Sequence, residues 1–235
     1  MGRSAYFRLR RALHGGPAIP EILHVPIFPL PNVVFFPQTI LPLHVFEPRY
    51  RRLVNDVLGG DRRFAVFLLK PGEGRDALGA PAPFEFGCLG EIVRADALPD
   101  GRFNLLLIGL VRIRIQEFLS DVPYRMVGAT LVPEGGGGEL DAAGGGDFRG
   151  LVRRYFRGVL GRRTGPDLAD QPLATLVNTA AANLETSVYE RQGLLELESL
   201  PERMARVAEL MTEQIEARRA IQLARSTRPP DPRVN

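Results

Sequence analysis

Apolar and polar positions along this chain follow one rhythm up to about residue 133 and another after residue 147. Two apolar runs, Val33–Phe36 and Thr39–Phe46, are broken up by Pro29, Pro31, Pro37 and Pro42. Prolines at those intervals disfavour a helix or one long strand and predict edge or bent strands at the corners of a small barrel. The period then changes. Pro48 suits a first helical position, and Tyr50, Leu53, Val54 and Val57 recur at i, i+3, i+4 and i+7, one buried helical face that Gly59-Gly60 should end. Arg63–Leu69 is a strand-length apolar run, and Pro71–Pro83 is a loop long enough to be a binding element or an insertion. Asp100-Gly101 between Cys88–Ala95 and Arg102–Gly109 predicts a hairpin. Leu110–Phe118 alternates, placing Val111, Ile113 and Ile115 inward and Arg112, Arg114 and Gln116 on a wet, positive face. With Tyr124–Val132 as the last strand, the first half reads as six or seven short strands around one helix.

Glu134–Asp147 is glycine-rich and cannot bury a core, so it reads as a linker. Helical periodicity follows. Phe148, Leu151, Val152, Tyr155 and Val159 form an apolar face, and Arg149, Arg153 and Arg157 form a stripe beside it, with Arg162 and Arg163 beyond. Thr164 and Pro166 are expected to open a second helix running through Leu184. Ser187 with Glu190, and Ser199 with Glu202, fit capping boxes, and Met204, Val207, Met211 and Ile215 give the last helix its buried stripe. The expected organisation is a disordered basic arm over 1–20, a β-barrel subdomain over 21–133, a linker over 134–147, a helical subdomain over 148–225 and a disordered tail over 226–235. The fold class is α+β.

Composition narrows the chemistry. The 235 residues are 45% hydrophobic and 24% charged, with a formal charge of +3. No run approaches the ~20 apolar residues of a membrane span, and the basic N-terminus lacks the apolar core of a secretory signal, so the expected location is cytoplasmic. Cys88 is the single cysteine, expected to be a buried apolar group. Lys70 is the single lysine and lies in no G-x-x-x-x-G-K-[ST] loop, which excludes nucleotide hydrolysis by that route. His14, His24 and His44 have no partners at metal-ligand spacing, and His44 is expected to be a hydrogen-bonded structural histidine. Glu47 is expected to interact with the exposed N–H groups of the helix that follows it. Glu85 and Glu91 lack the spacing for acid–base work, and no serine sits in a nucleophile elbow. Catalytic, cofactor-binding and metal-ligating residues are all read as none.

The order of Pro26-Ile-Phe-Pro-Leu30, Leu41-Pro-Leu43 and Phe46-Glu-Pro-Arg-Tyr50 resembles the opening of the Lon protease N-terminal, substrate-binding domain. Gly87, Pro99-Asp-Gly-Arg102 and Pro123-Tyr-Arg125 continue the likeness, as do Leu176-Val-Asn-Thr179, Asn183-Leu184, Glu190-Arg-Gln-Gly-Leu-Leu195 and Pro201-Glu-Arg-Met204. The resemblance runs from Glu21 to Leu210. It implies a PUA-like pseudo-barrel with one helix, followed by a helical bundle. It also implies a non-catalytic module that binds unfolded or exposed polypeptide segments, delivering them to a protease or chaperone on other chains, because no Lon ATPase or Ser-Lys protease domain is present in the sequence. Phe35, Phe36 and the Pro71–Pro83 loop are conceivable contributors, although core packing is the expected role of both phenylalanines. The rival reading is an RNA-binding barrel using Arg112, Arg114 and the Arg149 stripe; neither a membrane nor DNA is predicted as partner.

Overall fold

A computed structural model describes residues 22–72, 74–75, 79–135, 146–161 and 171–226. Among them, the strands are β1 (Leu23–Leu30), β2 (Ile40–Val45), β3 (Arg63–Leu69), β4 (Pro83–Ala97), β5 (Phe103–Ser120) and β6 (Met126–Val132). The helices are α1 (Pro48–Leu58), α2 (Gly146–Gly158), α3 (Leu173–Ala182), α4 (Val188–Glu196) and α5 (Leu200–Ser226). Sheet order is β2-β5-β4-β3-β1-β6, and β6 pairs back onto β5. Five strands therefore close into a ring, and β2 extends from it as a flap with one unpaired edge. This is the expected α+β arrangement of a pseudo-barrel with one helix followed by a bundle.

Closure depends on β5. Its 18 residues pair along one edge with β4, from Phe86↔Arg114 to Ala97↔Phe103. The other edge is shared, β2 taking residues 103–108 and β6 taking residues 112–120. At the seam between them, the turn after Phe36 inserts its backbone: Gln38 N–H donates to the Gly109 carbonyl at 2.8 Å, and Gly109 N–H donates to the Thr39 carbonyl at 3.0 Å. A Cβ on Gly109 would overlap the Phe36 carbonyl oxygen, so the close approach requires glycine.

Several expectations change here. Val33–Phe36 is not a strand but an irregular segment, and it separates two cores: Phe35 is buried against α1 and the sheet, whereas Phe36 is buried among the C-terminal helices. Arg102–Gly109 and Leu110–Phe118 are not separate short strands but parts of the single β5. Register shifts at Leu89/Gly90, Ile92/Arg94, Ile115/Glu117 and Phe118/Ser120 let β4 and β5 bend around the ring without breaking. Helix α3 begins at Leu173, after Pro172 as its N-cap, because a proline cannot sit in a helix interior; residues 162–170 lie outside the described residues. Helix α1 does end at Gly59, its C-cap, but with a helical φ of −76°; the left-handed residue that turns the chain after it is Arg62, at φ 62°.

Other local expectations hold. Pro48 is at the first position of α1, and Tyr50, Leu53, Val54 and Val57 are its buried residues, with Tyr50 stacked on Phe28 at 4.0 Å. Strand β3 reads as an unbroken apolar run because both its faces are covered: Ala65 and Phe67 face one cluster, Phe64 and Val66 the other. Ser187 Oγ accepts from Glu190 N–H at 3.0 Å, and Ser199 Oγ accepts from Glu202 N–H at 3.4 Å. Cys88 is buried, and burial pushes its thiol up.

Barrel and bundle are joined by a buried charge cluster. Arg112 and Arg203 are both fully buried and share the Glu134 carboxylate, Arg203 Nη1 at 2.8 Å and Arg112 Nε at 3.4 Å. Arg112 also donates to the carbonyls of Leu195, Leu197 and Glu198, and Arg203 donates to the carbonyl of Leu194 and to Asn178 Oδ1. Burial, with the Arg203 charge beside it, pushes the Arg112 guanidinium down to about 10, which leaves it charged at neutral pH. Arg112 is thus not on a wet face: the helices cover β5 at that point. Glu134 and Gly135 head the glycine-rich stretch and are both engaged, Gly135 accepting from Leu200 N–H at 3.1 Å; residues 136–145 lie outside the described residues.

Two stability tests follow from these contacts. Glu134→Ala leaves two buried cations facing each other, and its urea unfolding midpoint should drop by the equivalent of about 3–5 kcal/mol; an unchanged midpoint would show that the cluster does not hold the halves together. Gly109→Ala should cost about 1–3 kcal/mol by overpacking the seam, whereas Gly146→Ala, where a Cβ meets nothing within 4 Å, should be near neutral.

Candidate functional site

The outer face of the β2–β5–β4 sheet carries an open cleft of about 510 Å³, lined by Pro42, Leu43, His44, Arg94, Asp96, Asn104, Leu105 and Leu106. Register builds it. Pro42 stands opposite Leu106 and His44 opposite Asn104 across β2–β5, while Arg94 and Asp96 on β4 stand opposite the same two β5 residues. An apolar strip of Pro42 and Leu106 is therefore bordered by a polar rim. Ile40, opposite Ile108, is 56% exposed at one end of β2, and Phe46 is 60% exposed just past the other.

The rim is internally hydrogen-bonded. His44 Nδ1 lies 2.7 Å from Asn104 Oδ1, a contact that requires the proton on Nδ1, and His44 Nε2 then accepts from Arg102 Nη1 at 3.4 Å. The ring also stacks near Phe46, at 6.2 Å between centroids. His44 is thus hydrogen-bonded, as expected, but on the exposed side of the flap and not in the core. Arg94 and Asp96 pair at 2.9 Å. The arrangement offers apolar contact along a pleated strip and a few polar groups at its edge, with His44 hydrogen-bonded to Asn104 and Asp96 paired with Arg94.

Other predicted residues fall elsewhere. Phe35 and Phe36 are buried, so neither presents apolar surface. Glu47 is the N-cap of α1, but its side chain makes no capping bond and instead pairs with Arg49 at 3.1 Å; the short ion pair wins over the helix N–H groups. Arg114 is exposed, pairs with Glu85 at 2.9 Å and lies over the Phe86 ring. Arg153 and Arg157 are exposed on α2, and α5 brings Arg218 and Arg219 to them, with Arg154, around a cleft of about 270 Å³. Arg162 and Arg163 lie outside the described residues. The sequence reading missed the interlocking set of Arg203, Glu134, Asn178 and Gln192; Gln192 Nε2 donates to the Phe86 carbonyl at 3.0 Å across the barrel–bundle boundary. A basic residue inside the capping turn of α5 was the available signal for Arg203. Among the described residues no group of three or more His, Cys, Asp or Glu is placed to hold a metal ion, and no helix is long and apolar enough to cross a membrane.

Residues 24–213 match the family described as the ATP-dependent protease La (LON) substrate-binding domain. The Lon protease of Dictyoglomus thermophilum is 29% identical over 221 residues, which are 88% of this chain and 26% of that protein. The Lon protease of Roseiflexus castenholzii is 30% identical over 201 residues, 81% of this chain and 24% of that protein. The chain thus spans about a quarter of the length of these relatives. Among solved structures, the Lon N-terminal domain protein from Xanthomonas campestris aligns with a TM-score of 0.60 at 26% identity, covering 79% of this chain and 97% of that one. The N-terminal domain of Mycobacterium avium complex Lon protease shares the fold, with a TM-score of 0.57 at 17% identity, over 81% of this chain and 98% of that one. With the family match running from the first ring strand into the last helix, the chain belongs to the Lon substrate-binding domain family.

Proposed function

We propose that this chain is a non-catalytic recognition module that binds unfolded or exposed polypeptide segments and presents them to a protease or chaperone on another chain. The observation that carries this reading is the open apolar strip on the β2–β5–β4 face, bounded by Ile40 and Phe46 and covered by no described part of the chain. Exposed apolar surface rimmed by polar groups is the feature expected of a protein-binding face. A client lying along the strip would place alternate side chains on Pro42 and Leu106 and its polar groups against His44, Asn104 and the Arg94–Asp96 pair. The unpaired edge of β2 is a poorer docking element, because Pro42 lacks the N–H that a continuous ladder needs. Family membership adds support, since the family is described by substrate binding.

Anisotropy of a labelled, permanently unfolded polypeptide should report saturable binding that survives moderate salt, because the contact is mainly apolar. The double variant Ile40→Ser/Phe46→Ser removes two exposed side chains, each worth about 1.5 kcal/mol or more when buried, so affinity should fall at least about tenfold with the unfolding midpoint unchanged. Wild-type affinity in that variant would remove the β2 face from consideration.

A further inference from the structure

A two-fold axis sets a surface patch against itself, so a patch of one sign repels its own copy. The α2–α5 cleft, ringed by five arginines, is such a patch; the β2–β5–β4 face is not. Its exposed apolar side chains run beyond the cleft at Pro42 and Leu106. The register shift between Ile92 and Arg94 leaves Val93 out of the β4–β5 ladder and 52% exposed, while Ile40 and Phe46 stand exposed at or just past the two ends of β2. Charges around this surface come in pairs of opposite sign. Glu91, opposite Ile108, holds Arg63 at 3.1 Å; Arg94 holds Asp96 at 2.9 Å; Arg102, which reaches His44, holds Asp100 at 2.6 Å. The three cations and three anions cancel. Arg62, beside the bulge, turns its Nε onto the Ile92 carbonyl at 3.0 Å.

We propose that this face pairs with a second copy of the chain, sheet against sheet, and that the pairing competes with the client segment for the strip. The competition rests on the client reading above; the pairing does not. Apolar side chains of the two copies leave water together, and each rim arginine meets carboxylates of the other copy as well as its own. The copies do not join edge to edge. Pro42 lacks the N–H that a continuous ladder needs, so they stack about 10 Å apart, as packed sheets do. The size of the face sets the strength. Six residues of β2 span about 20 Å and three strands about 15 Å, a footprint of ~300 Å², well below the ~800 Å² per partner of a tight complex. The dimer is therefore weak, and an extended client of comparable footprint displaces one copy. Chain concentration thereby regulates the strip: dilute chains offer it and concentrated chains cover it.

The test is sedimentation velocity of the whole chain, without client, over about 5 to 500 µM, which brackets the micromolar affinity expected of so small a contact. The sedimentation coefficient should rise from the monomer value to the dimer value. Val93→Glu, at a half-exposed residue outside the cleft lining, buries an unpaired charge on pairing and should weaken association at least about tenfold. The same variant, measured where the chain is monomeric, should bind unfolded polypeptide within about twofold of wild type. Arg94→Glu and Asp96→Arg shift the charge of the face in opposite directions, so each should stay monomeric alone, whereas their equimolar mixture should associate at least as tightly as wild type. Unfolded polypeptide should convert wild-type dimer into complexes of one chain with client. A wild-type monomer throughout, a Val93→Glu dimer as tight as wild type, or a mixture no tighter than its components would overturn the pairing. Polypeptide that binds and leaves the dimer intact would overturn the competition. A dimer lost in Val93→Glu, with no polypeptide bound by any form, would support the pairing and count only against the client reading.

Discussion

The Glu134 carboxylate, held between the guanidinium groups of Arg112 and Arg203, is the interaction on which the joining of the two halves depends. Burying two cations is costly, and one carboxylate neutralises only part of their charge. The balance comes from backbone. Helix α4 ends at Glu196, and the carbonyls of Leu194, Leu195, Leu197 and Glu198 all receive N–H donors from the two arginines. These include the carbonyl groups that a helix end leaves without partners, at the pole where a cation is favoured. A strand of the barrel and the first turn of α5 thus together cap a helix belonging to neither. The fit is incomplete, since Arg112 Nε, whose 3.4 Å contact with Glu134 is an ion pair without a hydrogen bond, Asn178 Nδ2 and Gln192 Oε1 are buried without a hydrogen-bond partner among the described residues, a cost the interlock carries.

Periodicity identified whatever depends on one element and its nearest cover. The four apolar residues of α1 and the serine caps of α4 and α5 were legible because each is a local relation of three to seven positions. Alternation in β5 correctly put Arg112 and Arg114 on one side of the strand. It could not say that a helical subdomain from 80 residues further on would cover the first and leave the second to Glu85. Bulges obscured strand length for a similar reason: each shifts the parity of the pattern, so one bent strand looks like two. Glu134 was hidden by composition, a single acid at the head of a glycine run.

Two open surfaces of the described residues have opposite characters. The β2–β5–β4 strip is apolar with paired rim charges, and the α2–α5 cleft is cationic, its five arginines forming no ion pair among the described residues. They also stand on different subdomains, so substitutions can address each alone. Sequence reasoning had spread the positive surface over Arg112, Arg114 and the Arg149 stripe; Arg112 is committed to the interlock and Arg114 to Glu85, whereas Arg153 and Arg157 of the stripe stay exposed on α2.

Helix α5 begins beside the charge cluster and runs for 27 residues, about 40 Å. Arg203 fixes its root, while every described side chain from Glu216 to Ala224 is exposed. Its last turns thus stand clear of the bundle core, so substitutions there can reshape the surface without touching the packing at Val207, Leu210 and Met211.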